Sequence, residues 1–443
     1  MSNAPLNRII FSMKNINRTS SEIEETRKLK VLLMPDLLPW VLGTWAQQIA
    51  NLGIQHDYYL FSQQLLLHYP DKWNSLLQTV DVVHFLNQWE VKSIKTPEKL
   101  PRIDSITHVT NMLEWEEQLI PLTKSDSLVV ISEEWRQFML EKNVPSEHIY
   151  LFNIGVDTNK FYPFKDKSSA RKRLGIYSNS KLIGYSAKFT SNNGGRKGTD
   201  IFLKAVETCV DLGYKFGILI TGPGWNEVVE RLQGLGIEVH YYPFLPDKLM
   251  PTLYNAIDIY VSTARVEGGP APVLESMACG TPIVATPVGI IKDHLVNDVD
   301  ALIVPKDNAE ASAQAIIRLL ESPELCDRLR STALQTVMNK FKWNYTLNGI
   351  EDLYTTVWKT KGCAQEKKQL SVILNSERQR RWAVTVDSYI WHKQLYNEGY
   401  YKEGFRGMIE SSLKVGGKQA AIFLYKTLVM TKPILSRRLR QML

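Results

Sequence analysis

Two glutamates eight positions apart frame the most chemically suggestive stretch of this chain, Glu267-Gly268-Gly269-Pro270-Ala271-Pro272-Val273-Leu274-Glu275. The first carboxylate sits in a Gly/Pro loop and the second near the start of an apolar run with helical period. A loop that leads into a helix N-terminus offers backbone N–H groups and partial positive charge, which suits a diphosphate. Glycines allow close backbone approach. Carboxylates accept hydrogen bonds from vicinal hydroxyls, so Glu275 suits a ribose and Glu267 a second sugar. The same spacing also fits a polar loop followed by an acid in a first helical turn.

Upstream, Gly194-Gly195-Arg196-Lys197-Gly198-Thr199 pairs flexible backbone with two cations after a strand and before a helix. Lys197 could stabilise a leaving diphosphate as a compact charge, with Arg196 as a donor fork beside it; a solvated basic turn has the same composition. The segment lacks the Walker spacing and is not a P-loop. Gly222-Pro223-Gly224 is a third strand-end turn in the same half of the chain.

The elements that must position these loops alternate. Apolar runs at 30–36, 81–86, 105–110 and 126–132, separated by helical or loop segments, predict a parallel doubly wound sheet. A second series at 181–186, 216–221, 239–244, 257–262, 282–286 and 301–304 repeats the pattern, with an amphipathic helix over 199–212. The expected architecture is α/β, with two facing Rossmann-like domains and a cleft between them. Its parts are a polar leader at 1–28, domains at 29–160 and 161–345, a terminal core helix at 346–358 and a basic helical extension at 359–443. Ligands of such sheets bind outside the carboxyl ends of the strands, where the three loops converge.

The 443 residues are too many for one core, and 44% hydrophobic with 22% charged residues is ordinary globular composition. Cys209, Cys279, Cys326 and Cys363 lack metal or redox spacing and read as incidental thiols in a reducing compartment. No secretory signal or membrane span is evident, so a cytoplasmic protein is expected. The net charge of +7 is uneven: residues 359–443 hold 17 Lys/Arg against 6 Asp/Glu, a surplus of 11, leaving −4 on the remainder. That division disfavours a nucleic-acid-binding core. It points to an anionic membrane surface, such as the inner face of the membrane, or to a protein partner, contacted through 380–443.

The 267–275 segment continues as Ser276-Met277-Ala278-Cys279-Gly280-Thr281-Pro282-Ile283-Val284-Ala285-Thr286 and resembles the signature of retaining glycosyltransferases of family four, with the GT-B fold. Asn153-Ile154-Gly155-Val156-Asp157, Arg196-Lys197-Gly198, Gly222-Pro223-Gly224 and Tyr254-Asn255-Ala256-Ile257-Asp258 extend the resemblance over about residues 30–358. It implies transfer of a sugar from a UDP- or GDP-sugar to a saccharide or lipid-linked acceptor in glycan or polysaccharide synthesis, with no metal or cofactor. It also implies that Glu267 contacts the transferred sugar, Glu275 the ribose, and Lys197 the leaving diphosphate, with the backbone near Phe244 reading the base. The resemblance further implies a second cation, which would be Lys188 or Arg196, and an acceptor-side residue in the first domain, which would be His108 or Asn111. The resemblance also implies Gly43 and Thr44 as further diphosphate contacts. Trp40, Trp45, Trp89 and Trp115 suit sugar stacking or core packing. A non-catalytic nucleotide-sugar-binding or scaffold protein on the same fold is the alternative.

The extension reads as amphipathic helices over 389–415 and 418–430, with a hairpin-like turn at 397–401. Its cations Lys414, Lys418, Lys426, Lys432, Arg437, Arg438 and Arg440 could face headgroups or solvent.

Overall fold

The computed structural model describes residues 27–86, 94–106, 125–189, 195–361, 376–397, 400–415, 423–424 and 426–427. Among these, twelve strands form two wholly parallel six-stranded sheets. The first contains β1 (Lys30–Met34), β2 (Asp57–Leu60), β3 (Val82–Phe85), β4 (Arg102–Ile106), β5 (Ser127–Val130) and β6 (Ile149–Leu151), in spatial order β2-β1-β3-β4-β5-β6. The second contains β7 (Leu182–Ser186), β8 (Gly217–Thr221), β9 (Glu238–Tyr242), β10 (Ile259–Ser262), β11 (Ile283–Ala285) and β12 (Leu302–Ile303), in order β12-β11-β10-β7-β8-β9. Parallel strands covered on both faces are continuously apolar, and Val31 to Met34 and Ile218 to Ile220 are accordingly almost fully buried.

The sequence pattern passes over two strands, β2 and β6. Both are short, and β6 ends on exposed Leu151. A third starts earlier than expected: β4 begins at Arg102 rather than at 105, and 107–110 lie outside the described residues. Its charged start is buried because Arg102 and Asp104 pair at 2.8 Å inside the sheet, where a hydrophobicity pattern has no signal.

The helix Trp343–Thr360 carries the chain back from the second domain to the first. The Val156 N–H donates to Phe341 O at 2.7 Å near its start. Further along, Glu351 accepts from the Tyr58 hydroxyl (2.7 Å) and the Gln55 amide (2.8 Å), and Tyr354 meets His84 Nδ1 at 2.8 Å.

The C-terminal extension differs from the sequence expectation. Its described helices are Ser376–Asn397 and Tyr401–Val415, with a break at Tyr400, whose N–H donates to Leu395 O at 3.0 Å. The first of them covers the open edge of β2. The Gln379 amide accepts from Leu60 N–H at 3.0 Å and donates to Leu60 O at 2.6 Å, completing a strand that has no neighbour on that side among the described residues. Asp387 Oδ2 accepts the Leu38 N–H at 2.6 Å. The stretch 380–397 is therefore part of the first domain's packing, with Ala383, Val386 and Asp387 buried.

Candidate functional site

Strand order places β10, β7, β8 and β9 side by side, so the loops following them line one carboxyl edge. After β7, a short turn at Gly195–Lys197 leads into the helix Thr199–Asp211. Gly198 makes this entry possible: its φ is +63°, and a Cβ there would lie 2.0 Å from Thr263 O. The Thr263 hydroxyl donates to Gly198 O at 2.7 Å, and the Tyr185 hydroxyl donates to Lys197 O at 2.7 Å. Arg265 completes the clamp, with two N–H groups on the Asp200 carboxylate (2.8 and 2.7 Å) and one on Gly195 O (3.0 Å). None of Tyr185, Thr263 and Arg265 lies in a recognisable motif; they act only through contacts between strand ends.

This clamp delivers both cations of the turn to one carboxylate. Arg196 Nη1 lies 2.6 Å from Glu267 Oε1, and Lys197 forms an ion pair with the same oxygen. Glu267 is buried. Burial pulls the Lys197 ammonium below the usual lysine range, against the opposing pull of Glu267. A cavity opens beside the cluster, lined among others by Tyr185, Ala187, Lys197, Ser262, Glu267 and Pro270. Lys188 stands apart, exposed on the loop beside Gly222.

The loop from Gly268 to Val273 is held by the Val288–Gly289 turn: the Ile290 N–H donates to Gly268 O at 2.9 Å, and Gly289 has φ +47° with no space for a Cβ. It runs into the helix Ala271–Ala278, whose N-terminus has no side-chain cap. Pro270 and Pro272 carry no N–H, and the Val273 N–H turns back to Pro270 O at 2.9 Å. The donors left to a ligand are the Gly268, Gly269 and Ala271 amides, fewer than a generic helix N-terminus offers. One turn on, Glu275 accepts from the Tyr254 hydroxyl at 2.8 Å. Burial pushes its carboxyl up to about 7, opposed by the Tyr254 hydrogen bond and by Lys160. Lys160 in turn pairs with Asp247 at 2.6 Å.

Gly222 and Gly224 both have positive φ, and Gly222 is wedged against Ala187 O. Phe244, past the end of β9, meets the rings of Trp391 and Tyr400. In the first domain, Gly43 lies in the first turn of the helix Val41–Leu52, pressed on the backbone of Leu37 and Leu38, with Thr44 beside it. Trp45 is core; Trp40 is 44% exposed and packs edge-on against Trp391. His108, Asn111, Trp89 and Trp115 lie outside the described residues, as do Gly194, Cys363 and the cations Lys418, Lys432, Arg437, Arg438 and Arg440. His84, at the end of β3, has Ser105 on Nε2 and Tyr354 on Nδ1, and burial lowers it to about 3.

Residues 166–336, which hold this whole edge, match the family model described as glycosyl transferases group 1. That segment is similar to the group 1 glycosyltransferases. Among curated relatives, the D-inositol 3-phosphate glycosyltransferase of Saccharomonospora viridis is 24% identical over 330 residues, covering 71% of this chain and 72% of that protein. The lipopolysaccharide core biosynthesis mannosyltransferase LpsB of Rhizobium meliloti is 28% identical over 38% of this chain and 49% of its own length. In fold, the chain resembles Anabaena HepE, solved in complex with UDP, with a TM-score of 0.61 at 15% identity, over 74% of this chain and all of that one. The sucrose-phosphate synthase of Thermosynechococcus elongatus aligns at TM-score 0.59 and 15% identity, over 75% of this chain and all of that one. The two parallel sheets are thus the paired Rossmann-like domains of the GT-B fold.

Proposed function

We propose that this protein moves a sugar from a UDP- or GDP-sugar to a saccharide or lipid-linked acceptor with retention of anomeric configuration, using its own cations in place of a divalent metal. One observation carries the reading: Lys197 and Arg196 converge on Glu267 at the rim of the strand-end cavity. HepE, a structural neighbour, has been solved with UDP-glucose and with UDP and glucose, which supports a nucleotide-sugar donor.

The donor diphosphate lies against Lys197, Arg196 and the Gly268, Gly269 and Ala271 amides, with the transferred sugar at Glu267 and the ribose hydroxyls at Glu275. As the anomeric C–O bond breaks, its electron pair passes to the diphosphate, where fixed cations and amides stabilise the developing charge. The acceptor oxygen bonds to the anomeric carbon on the same face, and its proton passes to the departing phosphate oxygen. Gly43 and Thr44 approach the diphosphate from the first domain, and His108 or Asn111 orients the acceptor. The described helices include none long and apolar enough to cross a membrane. The basic end, including exposed Lys414 and Lys426, binds an anionic membrane from the cytoplasmic side.

The test is turnover on a panel of UDP- and GDP-sugars, with and without EDTA, for wild type, Glu267→Ala and Lys197→Ala. Transfer that survives EDTA and drops at least about 100-fold in both variants is expected. Wild-type turnover by both variants at saturating donor would remove this site assignment, and loss with EDTA alone would remove the metal-independent part. Product anomeric configuration checks retention, and co-sedimentation with anionic liposomes checks the basic end.

A further inference from the structure

The described C-terminal helices lie outside the segment that matches the family, yet they reach the donor edge. Trp391, in the helix Ser376–Asn397, touches both halves of the molecule: its ring is 5.1 Å from that of Trp40 in the first domain and 6.2 Å from that of Phe244 in the second. Tyr400, at the break before the next helix, meets Phe244 edge-on at 4.6 Å. The helix bearing Trp391 is fixed to the first domain by Gln379 and Asp387, so this contact is anchored.

Phe244 occupies a particular place on the site. From the Glu267 loop after β10, the edge runs past β7 and β8 to β9, three interstrand steps or about 14 Å. That span suits an extended nucleoside diphosphate sugar with its sugar at Glu267, its diphosphate at Lys197 and its base near the end of β9. Glu275 points the same way, because its carboxylate feels Lys160 and Asp247, and Asp247 is three residues beyond Phe244.

We infer that Trp391 and Tyr400 are positioning residues for the donor: the C-terminal hairpin braces Phe244 and so fixes the nucleobase end of the cleft. This rests on the donor placement proposed above. The brace acts through ring edges, so Tyr400 needs its ring rather than its hydroxyl. Because it acts at the base end, it leaves the diphosphate end untouched.

Calorimetric titration of the full chain with UDP, GDP and inorganic pyrophosphate tests it, using Phe244→Ala, Trp391→Ala, Tyr400→Ala, Tyr400→Phe and Lys197→Ala. For whichever nucleotide binds wild type, the first three variants should weaken binding at least about fivefold while pyrophosphate affinity stays within about twofold, and Tyr400→Phe should bind like wild type. Unchanged nucleotide affinity in Trp391→Ala and Tyr400→Ala, or a parallel loss for pyrophosphate, overturns the inference while leaving the donor site in place. If Lys197→Ala binds all three probes like wild type, or neither nucleotide binds wild type, the donor placement itself falls, and this inference with it.

Discussion

Arg196 donates to Glu267 at 2.6 Å and Lys197 pairs with the same carboxylate, so one of the two positive charges at the proposed donor site is balanced within the protein before any ligand arrives. A donor diphosphate competes with Glu267 for this guanidinium and for Lys197. Glu267→Gln keeps the size of the side chain and removes the competing charge. Binding of the unreactive nucleoside diphosphate should hold or tighten, while transfer falls by about two orders of magnitude as the sugar-side carboxylate is lost. Titration calorimetry and initial rates on the same preparations check the split. Parallel losses in both would show that Glu267 serves only to shape the cation pair.

Two glycines set the backbone on which this pair depends. A Cβ at Gly198 would lie 2.0 Å from Thr263 O, and one at Gly289 would lie 2.0 Å from Gly268 O, each at positive φ. Gly198→Ala and Gly289→Ala should each cost about 1–3 kcal/mol from the backbone conformation, with more from the clash. Activity should fall further than the thermal midpoint suggests, because the two loops that hold Lys197 and Glu267 would separate. Gly175→Ala is the comparison: its φ is +74°, but a Cβ there meets nothing within 4 Å. It should lower the melting midpoint without a matching loss of turnover.

Glu275 gives a pH signature. Its carboxyl is raised to about 7 from an ordinary value of 4.5 by burial. A raised carboxyl favours the folded state while protonated, so this contribution is complete below about 4.5 and lost as pH climbs through about 7. Melting curves of the unliganded enzyme from pH 5 to 8 should decline more steeply for wild type than for Glu275→Gln. The difference should be on the order of 2–3 kcal/mol across that window. Superimposable slopes would mean that Glu275 is already solvated without ligand.

The sequence exposes what this protein does through short-range patterns and hides what it does through packing. The alternation of apolar runs yields both sheets, and the Glu267–Glu275 stretch falls on the loop and helix that line the cavity. Lys197 and Arg196 are legible as neighbours in a glycine-rich turn. Their shared partner is not, because it stands seventy residues away and is brought near by strand order. Tyr185, Thr263 and Arg265 are silent for the same reason. The extension misleads in the opposite sense. Gln379 and Arg380 carry no apolar signal, yet Gln379 pairs with the edge of β2 and Arg380 donates to Ala50 O in the last turn of the helix Val41–Leu52, so these polar side chains meet backbone groups of the first domain rather than water.

That edge supplies the last prediction. Gln379 is buried and satisfies both the N–H and the C=O of Leu60. Gln379→Ala leaves two backbone groups of β2 without partners in a place water reaches poorly, at about 1–3 kcal/mol each. Gln379→Glu retains the acceptor for the Leu60 N–H but sets a carboxylate against the Leu60 carbonyl, so it should be at least as damaging. A chain ending at residue 361 loses Gln379, Asp387 and the buried face around Ala383 and Val386 together, and should melt well below either point variant. Differential scanning calorimetry of the three proteins measures the order. If the chain ending at 361 kept the wild-type midpoint, the helix Ser376–Asn397 would be a passive appendage, and the first domain would owe its β2 edge to solvent alone.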